Sequence, residues 1–345
     1  MVRRKIRVAV AMSGGVDSSV AAAILKRQGF EVIGITMDFS LPGNQPVKNA
    51  RRVANFLGIS HRTLHLVGAL QKKVIDNFCR EYLAGRTPNP CIRCNQYIKF
   101  GILLKQAHAL GCDYLATGHY ARILKAKEGY MLKKGKDKEK EQSYFLYRLT
   151  QEKLGKLLFP LGGVTKQEVI KIAQSMSLPV FYDKESQEIC FLPDGDLREF
   201  FKKRIGKEIR PGAVVDKSGN VLGKHRGIPF YTIGQREGLD IALGYRAYVV
   251  NIDASKNRIV LGNFKDAYAR EFTVTRLNFI RRGIKKKVVY KVKIRYNHKE
   301  AKAEIQPRGK NSLRVRFKQA QFAITCGQSA VFYDGDTVVG GGVIS

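Results

Sequence analysis

The chain has 345 residues, enough for more than one buried core, and its 44 % hydrophobic and 26 % charged content is that of an ordinary globular protein. No stretch reaches the roughly 20 apolar residues that a membrane-spanning helix needs, and six cysteines are too sparse for a secreted disulfide framework. Lysine and arginine outnumber acids 62 to 29, a net charge of +33 that favours a polyanionic partner through counterion release. Nucleic acid is the expected partner. The basic start, Met1 to Lys5, leads straight into a strand rather than a signal segment, so a cytoplasmic protein with no membrane partner is expected.

In chain order, Ile6 to Ala11 is a short apolar run that reads as a buried parallel strand. Val20, Ala21, Ile24 and Leu25 then recur at helical spacing up to Gly29, a C-cap residue. Between them lies Ala11-Met12-Ser13-Gly14-Gly15-Val16-Asp17-Ser18-Ser19. This stretch joins a strand's carboxyl end to a helix's amino end. Backbone N–H groups there lack intrahelical partners and the helix dipole is positive, which makes a site for phosphate. Gly14 and Gly15 let the backbone approach an oxyanion, and Ser13, Ser18 and Ser19 add hydroxyl donors. A Walker A loop is excluded: its nearest match, Gly219 to His225, has neither the spacing nor the hydroxyl. A dinucleotide fingerprint is also missing.

Phe30 to Phe39 reads as the second strand and puts Met37 at the end where an α/β sheet binds ligands. A methionine there either contacts a ligand or fills the core. Val47, Ala50, Val53, Ala54 and Leu57 mark an amphipathic helix, Thr63 to Val67 a third strand, and the segment to about Leu83 another helix. This alternation predicts a doubly wound parallel sheet. His65 is read as structural.

The stretch Gly85-Arg86-Thr87-Pro88-Asn89-Pro90-Cys91-Ile92-Arg93-Cys94-Asn95 carries two prolines, which predict an extended loop, with Asn95 capping the helix that follows. Cys94 would then lie beside a helix amino terminus, with Arg93 and Lys99 near it in sequence, each favouring thiolate. A Cys-x-x-Cys pair can be half of a zinc site, but no second pair or suitably spaced histidines complete four ligands, so no zinc is expected. Leu115 to Tyr120 ends another strand, where Gly118 allows close approach of a ligand. His119 beside it suits either catalysis or the positioning of a nucleotide or base. Lys133 to Lys140 is a charge run, solvated or on RNA, and Thr165 with Glu168 forms a capping box. Cys190 sits near phenylalanine, where a lone cysteine is ordinarily a small buried hydrophobe.

From Gly206 short strand-like runs (Gly227 to Arg236, Tyr248 to Asp253, Arg258 to Gly262) alternate with turns, and from Phe272 the pattern is wholly β. The fold expected is an α/β domain with a doubly wound parallel sheet over residues 1–205, a small β-rich central domain over 206–270 and a C-terminal β-barrel over 271–345. Arg281, Arg282, Lys285, Lys286, Lys287, Lys291, Lys293 and Arg295, interleaved with Tyr290 and Tyr296, make the barrel a candidate RNA-docking surface.

Ser-Gly-Gly-x-Asp-Ser at a strand–helix junction resembles the PP-loop of ATP pyrophosphatases, which split ATP between the α and β phosphates and put AMP on a carbonyl oxygen. With it stand Gly-Arg-Thr-Pro-Asn-Pro-Cys-x-x-Cys-Asn, Ala-Thr-Gly-His-Tyr, Gln-Ser-Tyr-Phe-Leu, Glu-Ile-Cys-Phe, Tyr-Thr-Ile-Gly-Gln-Arg and Gly-Gln-x-Ala-Val-Phe-Tyr-Asp-Gly-Asp. This ordered set resembles the tRNA-specific 2-thiouridylase family over nearly the whole chain. The resemblance implies ATP-dependent replacement of the C2 oxygen of a wobble uridine by sulfur. By matching motif, Ala11, Met12, Ser13, Gly14, Gly15, Val16, Asp17 and Ser18, with Met37 and Gly118, would bind ATP, with Mg²⁺ as its counter-ion. Cys94 matches the nucleophile, and Cys190 the cysteine that receives sulfur as a persulfide. Cys94 would either resolve the persulfide by disulfide formation or release sulfide for the attack. Asn89, Pro90 and Cys91 would touch the target base, and His119, Lys140, Glu141, Gln142, Arg295, Tyr296 and Gln328 would contact tRNA. An upstream sulfur-donor protein, a cysteine desulfurase or a sulfur relay, is the second partner implied.

Cys91 stands where some relatives carry aspartate, so Cys91, Cys94 and Cys190 could instead hold an iron–sulfur cluster with one iron open to sulfide, a less favoured route. The segment after Met37 is shorter than in typical members. Rival readings are another PP-loop transferase, such as a lysidine-forming tRNA ligase or a GMP-synthetase-like amidotransferase, which need no cysteine pair. A non-catalytic RNA-binding protein with a vestigial PP-loop is the alternative from another class. The intact Ser13 to Ser18 motif speaks against it.

Overall fold

The computed structural model describes residues 4–39, 45–180, 189–192, 195–239, 241, 243–244 and 246–345. Its contacts divide the chain into two units: residues 1–74, 91–187 and 336–339, and residues 75–90, 188–335 and 340–345.

The first unit is built on a five-stranded sheet. Its strands are β1 (Arg7–Ala11), β2 (Glu31–Asp38), β3 (Ser60–His65) and β4 (Tyr114–Ala116). After a hairpin of β5 (Ala121–Ala126) and β6 (Gly129–Lys134) comes the last sheet strand, β7 (Leu157–Leu158). The order is β3-β2-β1-β4-β7, and the pairs β2–β3, β1–β2, β1–β4 and β4–β7 are all parallel. Val8, Ala9 and Val10 of β1 are fully buried, as a central strand covered on both faces requires. The small face of α1 (Val16–Arg27), with Val20 to Ala23 fully buried, lets the helix lie close to the sheet, and α2 (Gln45–Phe56) adds Ala50, Val53 and Ala54 to the same core.

Helix α3 (Val67–Leu70) runs through a π-helical turn, Gln71–Ile75, into α4 (Asp76–Leu83). The next helical run corrects the expectation for the Cys-x-x-Cys stretch. It begins at Pro90 as α5 (Pro90–Cys94), continues as a π-helix over Asn95–Leu103 and ends as α6 (Leu104–Ala109). Asn95 is therefore inside the helix and caps nothing. The reason is that Pro90 occupies the first helical position, where a missing N–H and a fixed φ suit the helix. Beyond it come α7 (Gln151–Leu154) and α8 (Lys166–Ser175), whose capping box from Thr165 and Glu168 forms as read from sequence.

In the second unit α9 (Leu197–Ile205) precedes a four-stranded sheet of β8 (Gly212–Val215), β9 (Val221–His225), β10 (Tyr248–Asp253) and β11 (Arg258–Gly262), in the order β10-β11-β8-β9. Gly227 to Arg236, expected to be strand-like, holds a 3₁₀ turn at Ile228–Phe230 instead, because Pro229 cannot donate to a ladder. Six strands then close a barrel: β12 (Tyr268–Phe279), β13 (Val288–Lys293), β14 (Ala301–Pro307), β15 (Leu313–Phe322), β16 (Ser329–Asp334) and β17 (Thr337–Ile344). Their order is β12-β15-β14-β13-β16-β17, with β12 also pairing β17. Val274, Val292, Ile305, Val315 and Phe332 fill its interior, each fully buried. An α/β parallel-sheet domain, a small β-rich domain and a terminal β-barrel are thus the observed fold class. No helix among the described residues is long and apolar enough to cross a membrane.

Candidate active site

The turn between β1 and α1 has the geometry of an anion cradle. Gly15 is the N-cap of α1, extended at φ −84° and ψ 163°, and no side chain caps the helix. The N–H groups of Val16, Asp17 and Ser18 meet no acceptor among the described residues. They are left for a ligand, with the positive end of a 12-residue helix behind them. The hydroxyls are ordered around the turn: Ser18 Oγ accepts from Ser13 N at 3.1 Å and donates to Gly15 O at 3.1 Å, while Ser19 Oγ donates to Gly15 O at 2.9 Å. Gly14 has φ +78°, and a Cβ on it would lie 2.6 Å from Asn49 Cβ and 2.8 Å from Pro46 O. Only glycine meets both conditions.

Gly118 closes the cradle from β4. A Cβ there would sit 3.0 Å from the Asp17 carbonyl carbon and 3.1 Å from Ser18 N, so its bare backbone packs against the first turn of α1. The Asp17 carboxylate is set by two donors to one oxygen, Tyr120 Oη and Lys166 Nζ, each 2.7 Å from Oδ1. Its Oδ2 has no protein partner among the described residues. Lys166 is the first residue of α8, and its side chain is only 14 % exposed. Nothing in its local sequence marked this lysine; the signal was the neighbouring capping box, which fixes where α8 begins. Nearby, Glu168 is drawn down to about 2 by its ion pair with Lys136 and by the Thr165 N–H.

These residues fit ATP. The cradle supplies unpaired N–H donors and a glycine-lined surface for phosphate, and Asp17 Oδ2 offers an oxygen of the hard type that Mg²⁺ takes. At the carboxyl end of the sheet Met37 is half-buried, and Asp38 beside it is buried and accepts from His65 Nδ1 at 2.8 Å. His65 is thus the exposed cover of a buried acid, a structural partner as read from sequence. Asp38 was missed because an acid at the end of an apolar strand looks like the start of a loop.

His119, expected to position a nucleotide or base, is 8 % exposed. Its Nδ1 lies 2.7 Å from Thr117 Oγ1, and its ring packs between Phe100 and Phe159. Burial, with Lys99 nearby, holds its pKa well below the ordinary histidine value, so it is neutral. It shapes the strand end behind Gly118 and does not reach outward. Glu141 is likewise buried and accepts from Ser143 N at 2.5 Å, Gln142 Oε1 accepts from Tyr120 N at 3.1 Å, and Lys140 N donates to Asp137 Oδ1 at 3.0 Å.

Cys91 is exposed on the first turn of α5, and Cys94 lies at its end, 8 % exposed. Crowding by protein atoms pushes the Cys91 thiol up while Lys99 pulls it down. Arg93 stacks over the Tyr97 ring at 4.7 Å, and Asn95 Nδ2 donates to Phe145 O at 3.2 Å.

In the second unit, the loop that runs through Asn89 to Pro90, the first residue of α5, is anchored through Thr87. Its N–H donates to Cys326 O at 2.8 Å, its carbonyl accepts from Gln328 Nε2 at 2.7 Å, and its hydroxyl lies 3.2 Å from Thr232 Oγ1. Arg295 supports the same barrel end, donating to Ala323 O and to Thr325 Oγ1. Tyr296 lies under Lys293 Nζ, 5.2 Å from its ring centroid. Gln328 therefore holds the Thr87 loop in place, and Arg295 the segment from Ala323 to Thr325. Glu81, buried, adds an ion pair to Arg86 Nε at 2.5 Å and to Arg276 Nη1 at 3.3 Å; burial opposes its charge, but the two guanidiniums keep its pKa below the usual range. Cys190 is exposed, and Phe191 after it packs on Phe78 at 5.4 Å between ring centroids. Ser186 to Glu188, before it, lie outside the described residues. Among the described residues no three His, Cys, Asp or Glu side chains gather as a metal site.

Three family models match in series: a tRNA methyl transferase HUP domain over residues 6–194, a tRNA methyl transferase PRC-barrel domain over 198–263 and an aminomethyltransferase beta-barrel domain over 269–344. The tRNA-specific 2-thiouridylase MnmA 1 of Caldanaerobacter subterraneus subsp. tengcongensis is 49 % identical over 354 residues, covering 98 % of this chain and 97 % of that protein. The tRNA-specific 2-thiouridylase MnmA of Clostridium acetobutylicum is 47 % identical over 352 residues, covering 98 % and 99 %. Among solved structures, the U34-tRNA thiolase NcsA from Methanococcus maripaludis shares 21 % identity over 60 % of this chain and 69 % of that one, with a TM-score of 0.37. Identity of this extent over essentially the whole length, on top of the glycine cradle and the Cys91-x-x-Cys94 turn, means that the chain belongs to the tRNA-specific 2-thiouridylase family.

Proposed function

We propose that the chain catalyses ATP-dependent 2-thiolation of the wobble uridine of tRNA. The observation that carries this reading is the open amino end of α1, glycine-lined and without a side-chain cap, in a chain whose relatives are named for this reaction. In this reading the cradle holds the phosphates of ATP, Asp17 takes Mg²⁺ through Oδ2, and Met37 and Gly118 border the nucleotide. Bound Mg²⁺ would supply charge neutralisation at the phosphates. Lys166 and Tyr120 hold Asp17 in its rotamer, and the buried, neutral His119 keeps the strand end behind it rigid.

The uridine C2 oxygen attacks the α-phosphorus, pyrophosphate leaves, and C2 now carries AMP as a good leaving group. The outer sulfur of a persulfide on Cys190 replaces it. Cys94 thiolate takes the inner sulfur, either after the outer one has bonded to C2 or beforehand, releasing it as sulfide. Both orders release AMP, leave a Cys94–Cys190 disulfide and need an external reductant to reset the pair. A persulfide has to be loaded, which makes a cysteine desulfurase or a sulfur relay the second partner. Asn89, Pro90 and Cys91 present the target base, and the tRNA partner places the work in the cytoplasm. The proposed domain roles follow: residues 1–205 catalyse, 206–270 join, and 271–345 dock tRNA. Peptide mapping after turnover without reductant tests the sulfur route. A Cys94–Cys190 linkage that needs ATP is expected; iron and inorganic sulfide in anaerobically purified protein, with activity lost on chelation, would replace it by a cluster mechanism.

A further inference from the structure

Beyond these sites, four aromatic rings form one cluster at the surface of the second unit. Phe264 is 50 % exposed and Tyr268 40 %, and they are two of only three exposed aromatic residues among those described. Phe264 lies 5.2 Å from Tyr268, 5.4 Å from Tyr248 and 5.7 Å from Phe322 between ring centroids, and Tyr268 lies 5.4 Å from Phe322. The cluster is rigidly mounted. Tyr268 and Phe322 are cross-strand partners of β12 and β15, Tyr248 opens β10, and Phe264 starts a 3₁₀ turn fixed by a reciprocal cap between Asn263 and Asp266. Leaving two rings half in water on so firm a mount is costly unless something covers them.

The charges around the cluster indicate what that is. Arg236 stands beside Tyr248, and Lys265 and Arg270 flank the two exposed rings in sequence. The nearby acids are already engaged: Asp266 by Lys217 at 2.5 Å, Glu237 by Arg236 at 2.9 Å and Glu271 by Arg314 at 2.6 Å. Exposed rings among cations with the local acids neutralised suit an unpaired nucleotide, whose base stacks on a ring while its phosphate meets a cation. We propose that Phe264 and Tyr268 are a stacking platform for an unpaired base of the bound tRNA, other than the base that is modified. This rests on the tRNA reading above.

The chain has no tryptophan, so Phe264→Trp gives a single fluorophore at the platform. Adding tRNA quenches it, while a fully paired RNA duplex of equal length does not. Phe264→Ala weakens tRNA binding roughly 5- to 140-fold, the range of one lost base–aromatic stack. Its slope of log affinity against log salt stays as in the wild type, because every cation that meets a phosphate is still present. Tyr268→Phe, which keeps the ring, binds as the wild type does. Binding of tRNA without quenching, or an Ala variant with unchanged affinity, overturns the platform and leaves the tRNA reading standing. Wild-type protein that fails to bind tRNA overturns that reading itself. Quenching by a cysteine desulfurase and not by tRNA makes the surface a protein-docking site and overturns the proposal.

Discussion

Replacing Asp17 by asparagine separates the chemistry of the nucleotide cradle from its architecture. Asp17 Oδ1 receives two charge-assisted hydrogen bonds, from Tyr120 and Lys166, at 2.7 Å each. Such bonds are worth about 1.5–3 kcal/mol when buried. Because the Asp17 side chain is 36 % exposed, the lower end applies, and Tyr120→Phe should cost about 1–2 kcal/mol of stability. Asp17→Ala removes both bonds and leaves the Lys166 ammonium, 14 % exposed, without its counter-charge, a loss of about 2–4 kcal/mol. Asp17→Asn keeps an oxygen acceptor for both donors and costs less, but it removes the charge that, in the proposed function, serves metal and phosphate. The assay is AMP released from ATP on adding tRNA, beside filter binding of the same tRNA and urea unfolding. Asp17→Asn and Asp17→Ala should both abolish AMP formation with tRNA affinity within roughly twofold of wild type. Tyr120→Phe should keep most of the activity despite its stability loss. Loss of tRNA affinity without loss of AMP formation would refute the assignment.

Three further outcomes are expected. Reversing the charge of exposed Arg281, Arg282, Lys285, Lys286 and Lys287 should weaken tRNA binding and flatten its salt dependence, by roughly 0.7–0.9 in slope for each phosphate left without its cation; an unchanged slope makes this segment a solvated face. Gly14→Ala should lower stability in urea unfolding by more than about 1 kcal/mol, since its φ is +78° and its Cβ would meet Asn49; a midpoint equal to wild type would contradict the close packing. As pH falls below about 6.5, the unfolded chain takes up a proton at His119 that the folded chain refuses, so stability should fall by about 1.4 kcal/mol per pH unit from this residue. His119→Asn should remove that share of the slope in unfolding titrations, and an identical slope would show that His119 titrates normally.

Much of this was legible in the chain because local chemistry and fold agree there. The strand–glycine–helix junction at Ala11 to Ser19 needs no tertiary knowledge: apolar run, glycines and helical period fix it. The capping box at Thr165 and Glu168 is equally local. What was not legible depends on partners distant in sequence. Lys166 reaches Asp17 across 149 positions, and Gln328 reaches Thr87 across 241. No periodicity encodes such pairs. Pro90 misled for another reason: the same residue breaks a helix interior and starts a helix, and only the following turns decide which. His119 looked available because its motif lies at a ligand-binding strand end; the rings of Phe100 and Phe159 that bury it come from other elements.

The central claim is sulfur delivery to a wobble uridine through Cys94 and Cys190. Its most direct test is mass spectrometry of nucleosides digested from tRNA that has been incubated with the protein, ATP, Mg²⁺ and a persulfide-generating sulfur source. The account predicts 2-thiouridine or its derivative at the wobble position, dependent on ATP and lost in both Cys94→Ser and Cys190→Ser. Thiolation that persists in both variants, or tRNA recovered without any thiolated nucleoside, would contradict it.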